Sequence, residues 1–227
     1  LAREITARVE ALGMKLPKKA RPVARAIADW DGRYSENSSG AAALEQTAAH
    51  LVQLAYGERY GDKLAGYLQG APAVYDLLAE DVPDMQAMYV VQSLVKASDD
   101  NVQYKTWGEM HRLSLEHPLA NAPIIGDWFR YGDQAWPGGM NTVAKSAHRL
   151  SPGEHEVRYG ANARLVTDLG KPEVHVCLLG GQDGFLGSAN FLDQVALWRS
   201  GQYLSLPLDA RRARRTFPRR LELTPQE

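Results

Sequence analysis

Cysteine is nearly absent from this chain: among 227 residues only Cys177 is present. A single thiol excludes an intrachain disulfide framework and every zinc site built from several cysteines, so the fold must rest on packing. Long apolar runs are also missing. No stretch approaches the roughly 18 consecutive apolar residues that a membrane-spanning helix needs. A surplus of either charge is lacking as well, with 26 basic against 27 acidic side chains and a formal charge of -1. Nucleic-acid affinity rests mainly on excess Lys and Arg meeting phosphates, so a dedicated nucleic-acid partner is excluded as an expectation. What is present is ordinary globular composition, 44% hydrophobic and 23% charged, enough for a sizeable core. The opening residues Leu1-Ala2-Arg3-Glu4 carry neither an initiator Met nor a signal segment, and the expectation is a chain that begins inside a longer precursor.

Two regions are predicted, 1–103 mainly helical and 104–227 irregular and then β-rich, giving an α+β class. Ile5, Val9 and Leu12 recur at helical spacing before Gly13, and Val23, Ile27 and Trp30 mark a second short helix. Residues 31–40 read as a loop. Ser38 and Ser39 are candidate caps for a helix whose stripe is Leu44, Ala48, Leu51 and Ala55, ended by Tyr56-Gly57. Further helices are predicted around 73–78 and 85–98. From Tyr104 to Met140, Trp, Gly, Pro and His interrupt any period, so a long irregular segment held by aromatics is expected, with Trp107, Trp128 and Trp136 buried. Strands are predicted at 142–147, 156–169 and 174–179, a helix at 190–200 and a last strand at 217–223.

The six histidines (His50, His111, His117, His148, His155, His175) lack the His-x-x-x-His spacing that puts two imidazoles on one helix face. Hydrogen bonding within the irregular segment is the preferred role for His111 and His117, beside Glu109 and Glu116, and no metal is expected. Glycines of the loop 180–187, between a strand and a helix, would let backbone N–H groups approach a phosphate. The loop has neither the P-loop ending nor the Gly-x-Gly-x-x-Gly spacing, so a plain connecting loop is the preferred reading and phosphate-ligand binding its alternative. Ser188 in Leu186-Gly187-Ser188-Ala189-Asn190 is not a Gly-x-Ser-x-Gly elbow. Cys177 sits in an apolar run and reads as a buried small hydrophobe. Arg211, Arg212, Arg214, Arg215, Arg219 and Arg220 form the one local charge concentration, read as a solvated helix face partly offset by Glu222 and Glu227. Arg164 and Asp193 are candidates to pair across a sheet.

Taken in order, short stretches resemble the C-terminal part of the β chain of the penicillin acylase family, amidohydrolases with an N-terminal nucleophile. They are Trp30-Asp31-Gly32 with 35–44, 107–112 with Glu116-His117-Pro118-Leu119, and Pro137-Gly138-Gly139 with Thr142-Val143. The series continues with 159–164 and Asp168-Leu169, then Gly181-Gln182-Asp183-Gly184 with Gly187-Ser188, Asp193-Gln194 and 198–207. The resemblance implies an αββα sandwich, a precursor cut autocatalytically, and a Ser freed at the β-chain N-terminus whose own α-amine acts as base. It implies that the nucleophile lies upstream of Leu1, that no catalytic residue is expected in this chain, and that Asp183 is the one supporting candidate. It further implies no cofactor, a periplasmic or secreted enzyme, a small N-acyl substrate, and the remainder of its own precursor, the α chain and the N-terminal part of the β chain, as partner. Ala144, Asn162, Asp183, Phe185 and Asn190 depart from residues usual in the family. A non-catalytic interaction module of the same architecture is the rival from another class.

Overall fold

A computed structural model describes residues 1–13, 16–219 and 221. The fold is mixed α and β, and the chain divides into two compact units, 1–160 and 161–227. The change of composition near residue 103 falls inside the first unit.

In that unit the amphipathic helices α1 (Ala2–Leu12) and α2 (Arg21–Ala28) pack with α3 (Ser39–Val52), α6 (Val74–Asp81) and α7 (Ala87–Asp100). Their shared core includes Ile5, Val23, Ile27, Leu51, Leu78, Val90 and Leu94. Helix α3 starts because the Ser38 hydroxyl accepts from the Ala41 N–H at 3.1 Å, satisfying one of the amide donors a helix start leaves open. Every residue from Gly40 to Ala49 is buried, so this helix shows solvent no face along that stretch. It does not stop at Tyr56-Gly57 as its sequence suggests. A π-type turn over Gln53–Gly57 carries the chain into α4 (Glu58–Tyr60), and α5 (Asp62–Leu68) follows, a helix the sequence did not announce. Trp30 lies just beyond α2 rather than on it.

The segment 104–140 is less irregular than its Gly and Pro content predicts. After the short helix α8 (Trp107–Met110), β1 (His111–Glu116) pairs antiparallel with β2 (Arg130–Ala135), and Arg112 grips the Asp133 carboxylate across the pair at 2.9–3.0 Å. The region 142–160 contracts to three two-residue strands: β3 (Ser146–Ala147), β4 (His155–Glu156) and β5 (Tyr159–Gly160). Strand β4 lies parallel to β1, and β3 pairs with β5. Trp107 and Trp136 are buried as expected, whereas Trp128 is 71% exposed. It stands on a 3₁₀ turn (Gly126–Phe129) in the connection between the two strands.

The second unit is an antiparallel three-stranded sheet in the order β6 (Ala163–Thr167), β7 (Glu173–Leu178), β8 (Leu204–Pro207). The expected helix at 190–200 contracts to α9 (Val195–Ser200), since residues 181–194 are committed to a folded loop. The final strand expected at 217–223 is not formed over its described part: α10 (Ala210–Thr216) ends at Phe217, and residues 220, 222 and 223 lie outside the described residues. Arg164 does not reach Asp193. Its guanidinium lies 3.5 Å over the Trp198 ring and donates to the Trp198 carbonyl at 2.7 Å. The arginines of α10 form a largely exposed face, on which Arg212 meets Glu173 at 3.2 Å.

Candidate functional site

Three of the sequence stretches that carry the resemblance converge in the first unit. Between α2 and α3 the chain is stitched to two distant loops: Trp107 N–H donates to Ser38 O, Gly108 N–H to Glu36 O, and Gly138 N–H to Tyr34 O. The Trp107 indole in turn donates to Gly138 O at 2.8 Å. Gly138 has φ +82, and a Cβ there would overlap Ala144 O, so only glycine fits this crossing.

Around Trp107 stand three buried histidines. His111 stacks on its ring at 4.3 Å, and His148 and His155 meet it edge-on at 5.3 and 5.8 Å. Their positions follow from strand pairing. The parallel register sets His111 opposite His155, while His148 directly follows β3. Helix α3 adds Glu45, fully buried, whose carboxylate accepts from Tyr34 OH at 2.5 Å and Tyr75 OH at 2.8 Å and lies 3.3 Å from His148 Nε2. Six residues spread from position 34 to position 155 therefore form one polar cluster inside an otherwise apolar unit.

Electrostatics fix the charge on these groups. Burial raises the Glu45 carboxyl, but its hydrogen bond and electrostatic interaction with His148, with those of His155 and Tyr34, outweigh that and hold it at about 2. Burial and the neighbouring charge of His148 press His111 down to about 4 and His155 to about 3. Burial and Glu45 raise both tyrosines well above the ordinary phenol value, so they remain donors. Glu45 is thus held as an anion, with the His111 and His155 imidazoles neutral beside it. His155 Nε2 meets both backbone groups of Ser151, the carbonyl at 2.6 Å and the N–H at 3.2 Å; the shorter contact, to a carbonyl that only accepts, favours the ring proton on Nε2. The buried Nδ1 is left as a lone pair without a hydrogen-bond partner.

Other candidates take local roles. His117 caps a 3₁₀ turn by accepting from Leu119 N–H, Glu109 closes a capping box with Thr106, and Glu116 pairs with Arg130. His50 contacts Asp100 at 2.6 Å. Each serine bonded to a clustered histidine, Ser146 or Ser151, meets it through backbone atoms rather than its hydroxyl. In the second unit Cys177 is buried, and burial pushes its thiol up. The loop 180–194 spends its amides on itself: Asp183 N–H on Asn190 O, Phe185 N–H on the Asp183 carboxylate, Gln194 N–H on Gly180 O. A Cβ on Gly181 would strike Asn190 O, which gives that glycine an internal reason. Asp183 is half-buried, and the Ser188 and Phe185 hydrogen bonds hold its carboxyl below the usual range.

The cluster is closed to solvent, but its tyrosines are not. Tyr34 and Tyr75 line an open cleft of about 640 Å³ together with Trp30, Leu44, Met140 and Asn141. No helix among the described residues is long and apolar enough to cross a membrane.

The penicillin amidase family model matches residues 1–215, and the chain belongs to that family. Among curated relatives, the penicillin acylase 2 proenzyme of Pseudomonas sp. (strain SE83) is 25% identical over 218 residues, covering 86% of this chain and 27% of the relative. The acyl-homoserine lactone acylase QuiP of Pseudomonas putida is 27% identical over 121 residues, covering 52% of this chain and 14% of the relative. QuiP of Pseudomonas syringae pv. tomato is 28% identical over 123 residues, covering 52% and 15%. The chain thus spans about a quarter or less of the length of these relatives.

Proposed function

We propose that this chain is part of a penicillin acylase-like amidohydrolase that hydrolyses a non-peptide amide bond, as in penicillins or N-acyl homoserine lactones. The observation that carries this reading is the family match along residues 1–215. In the proposed reaction the nucleophile is a Ser at a β-chain N-terminus, in a part of the parent that this chain does not span. Its hydroxyl oxygen attacks the amide carbon while its α-amine, with an unperturbed pKa of about 8, takes the proton. Backbone N–H groups and an Asn side chain hold the oxyanion, the amine leaves with the proton, and water releases the acid from the acyl-enzyme.

This chain's share of that work is structural. Glu45, His148 and His155, at the centre of the cluster, are closed to solvent and so to a substrate. The strands of both units extend the sheets of the parent's αββα sandwich, and Asp183, kept ionised on an exposed loop, is the residue assigned a supporting electrostatic role. The proenzyme named among the relatives supports a precursor whose remaining chains are this chain's partners; autocatalytic cleavage of that precursor and a periplasmic or secreted location are part of the proposal.

Expression of the parent reading frame tests this. Mature protein is expected as two chains, the larger starting with Ser, that release phenylacetate, glutarate or a fatty acid from chromogenic or lactone amides. The 227-residue chain alone is expected to be inert. An uncut parent with no hydrolysis across these amides, or turnover by the isolated chain that Asp183→Ala abolishes, overturns the proposal.

A further inference from the structure

We propose that Glu45, His148 and His155 bind one divalent transition-metal ion of the zinc type, as a structural centre of the first unit. One donor atom from each residue lies within 4.8 Å of the others, and all three residues are buried. Two imidazole nitrogens with one carboxylate oxygen suit a borderline-soft divalent ion. Spacing along the chain argued against ligation. Proximity in space now argues for it.

The surroundings have the form that metal ligands require. A ligating histidine ordinarily gives its far nitrogen to a carbonyl, which fixes the ring and turns the near lone pair inward. His155 does this through Nε2 on Ser151 O at 2.6 Å, and His148 Nδ1 faces Ser146 O at 3.4 Å. Ligating carboxylates are likewise held by hydrogen bonds, and Glu45 has two phenols for that purpose. The separation of 3.3 Å between His148 Nε2 and Glu45 Oε2 exceeds the roughly 2.7–2.9 Å of a charge-assisted hydrogen bond. It equals the edge of a tetrahedron whose ligands stand about 2.0–2.1 Å from zinc, roughly 3.3–3.4 Å. His155 Nδ1 is the second, independent observation: a buried lone pair without a hydrogen-bond partner is costly, and an ion satisfies it. The His148 and His155 rings lie nearly parallel, 4.6 Å apart at 16°, so the proposed coordination requires one ring to turn before both nitrogens share a centre. The rival reading is a hydrogen-bonded network closed by a proton on His148.

The test uses the full chain, stripped with chelator and titrated with Co²⁺ and then Zn²⁺. Expected are saturable uptake of one equivalent of cobalt with the visible bands of a low-symmetry site, displacement by one zinc, and a higher melting temperature with zinc. Glu45→Gln and His155→Gln should each lower affinity by roughly tenfold or more, while His50→Gln leaves uptake unchanged. Wild-type chain that takes up no cobalt or zinc overturns the proposal whatever the variants do. So does uptake that persists at full strength in folded Glu45→Gln and His155→Gln.

Discussion

The two units solve the problem of burial in opposite ways. The first surrounds one helix completely and encloses both an apolar core and a charged cluster. The second, among its described residues, buries only Cys177, Gln194, Val195 and Trp198, and leaves Leu165, Val166, Leu169, Phe185 and Leu208 at least half exposed. A three-stranded sheet needs a layer on its apolar face, and α9 supplies one only near Trp198. Polar groups differ in the same sense. In the first unit they are deep and hydrogen-bonded to one another, whereas in the second they are surface pairs such as Arg212 with Glu173, which contribute little. A buried charge makes a fold exacting; a bare sheet makes it dependent on further contacts.

Substitutions can sharpen or break this contrast. The largest effect is expected from Trp107→Ala, which removes the ring that the three histidines pack around. A loss of about 3–5 kcal/mol in urea denaturation is expected, and a loss under 1 kcal/mol would show that the cluster does not hold the first unit together. Glu45→Ala should cost a comparable or slightly smaller amount, about 3–4 kcal/mol, because it strands His148 and two phenols. In the second unit Arg164→Ala should cost about 1–2 kcal/mol through the lost Trp198 stack and carbonyl hydrogen bond. A value equal to that of Glu45→Ala would erase the difference between the units. The smallest effect is expected at Trp128→Ala, within about 0.5 kcal/mol, since its ring is mostly in water. A kinetic comparison completes the series. Because burial raises the Cys177 thiol, Ellman's reagent at pH 8 should label the native chain far more slowly than the urea-unfolded chain, and equal rates would show the second unit open.

Much of the helical half was legible because its signals are local. Ser38 as a cap, Gly13 as a stop and the spacing of Ile5, Val23 and Ile27 each depend on a few neighbouring residues. Strands β1 and β2 were hidden because Pro and Gly flank them and their burial does not alternate cleanly; their pairing is fixed by contacts such as Arg112 with Asp133, 21 residues apart. The charged cluster was not legible. Glu45 lies in an alanine-rich stripe where a carboxylate reads as the solvent side, and His111, His148 and His155 meet only through strand register. Its one trace in the sequence was indirect: the stretches that resemble the family are the loops that carry Tyr34, Trp107 and Gly138. The exposure of Trp128 was equally unreadable, since its sequence surroundings match those of Trp107 and Trp136.

Helix α3 leaves a last consequence. Ala41, Ala42, Ala43, Ala48 and Ala49 are all fully enclosed, the first two in the cluster of Trp107 and Met110 and the other three in the main core. Their small size sets how near the surrounding elements can come, as the diameter of an axle sets its bearings. Enlarging any of them displaces the neighbours packed on it, with an expected cost of about 1–3 kcal/mol. Such a helix cannot drift in sequence one residue at a time; each change must be answered by another in the element it touches.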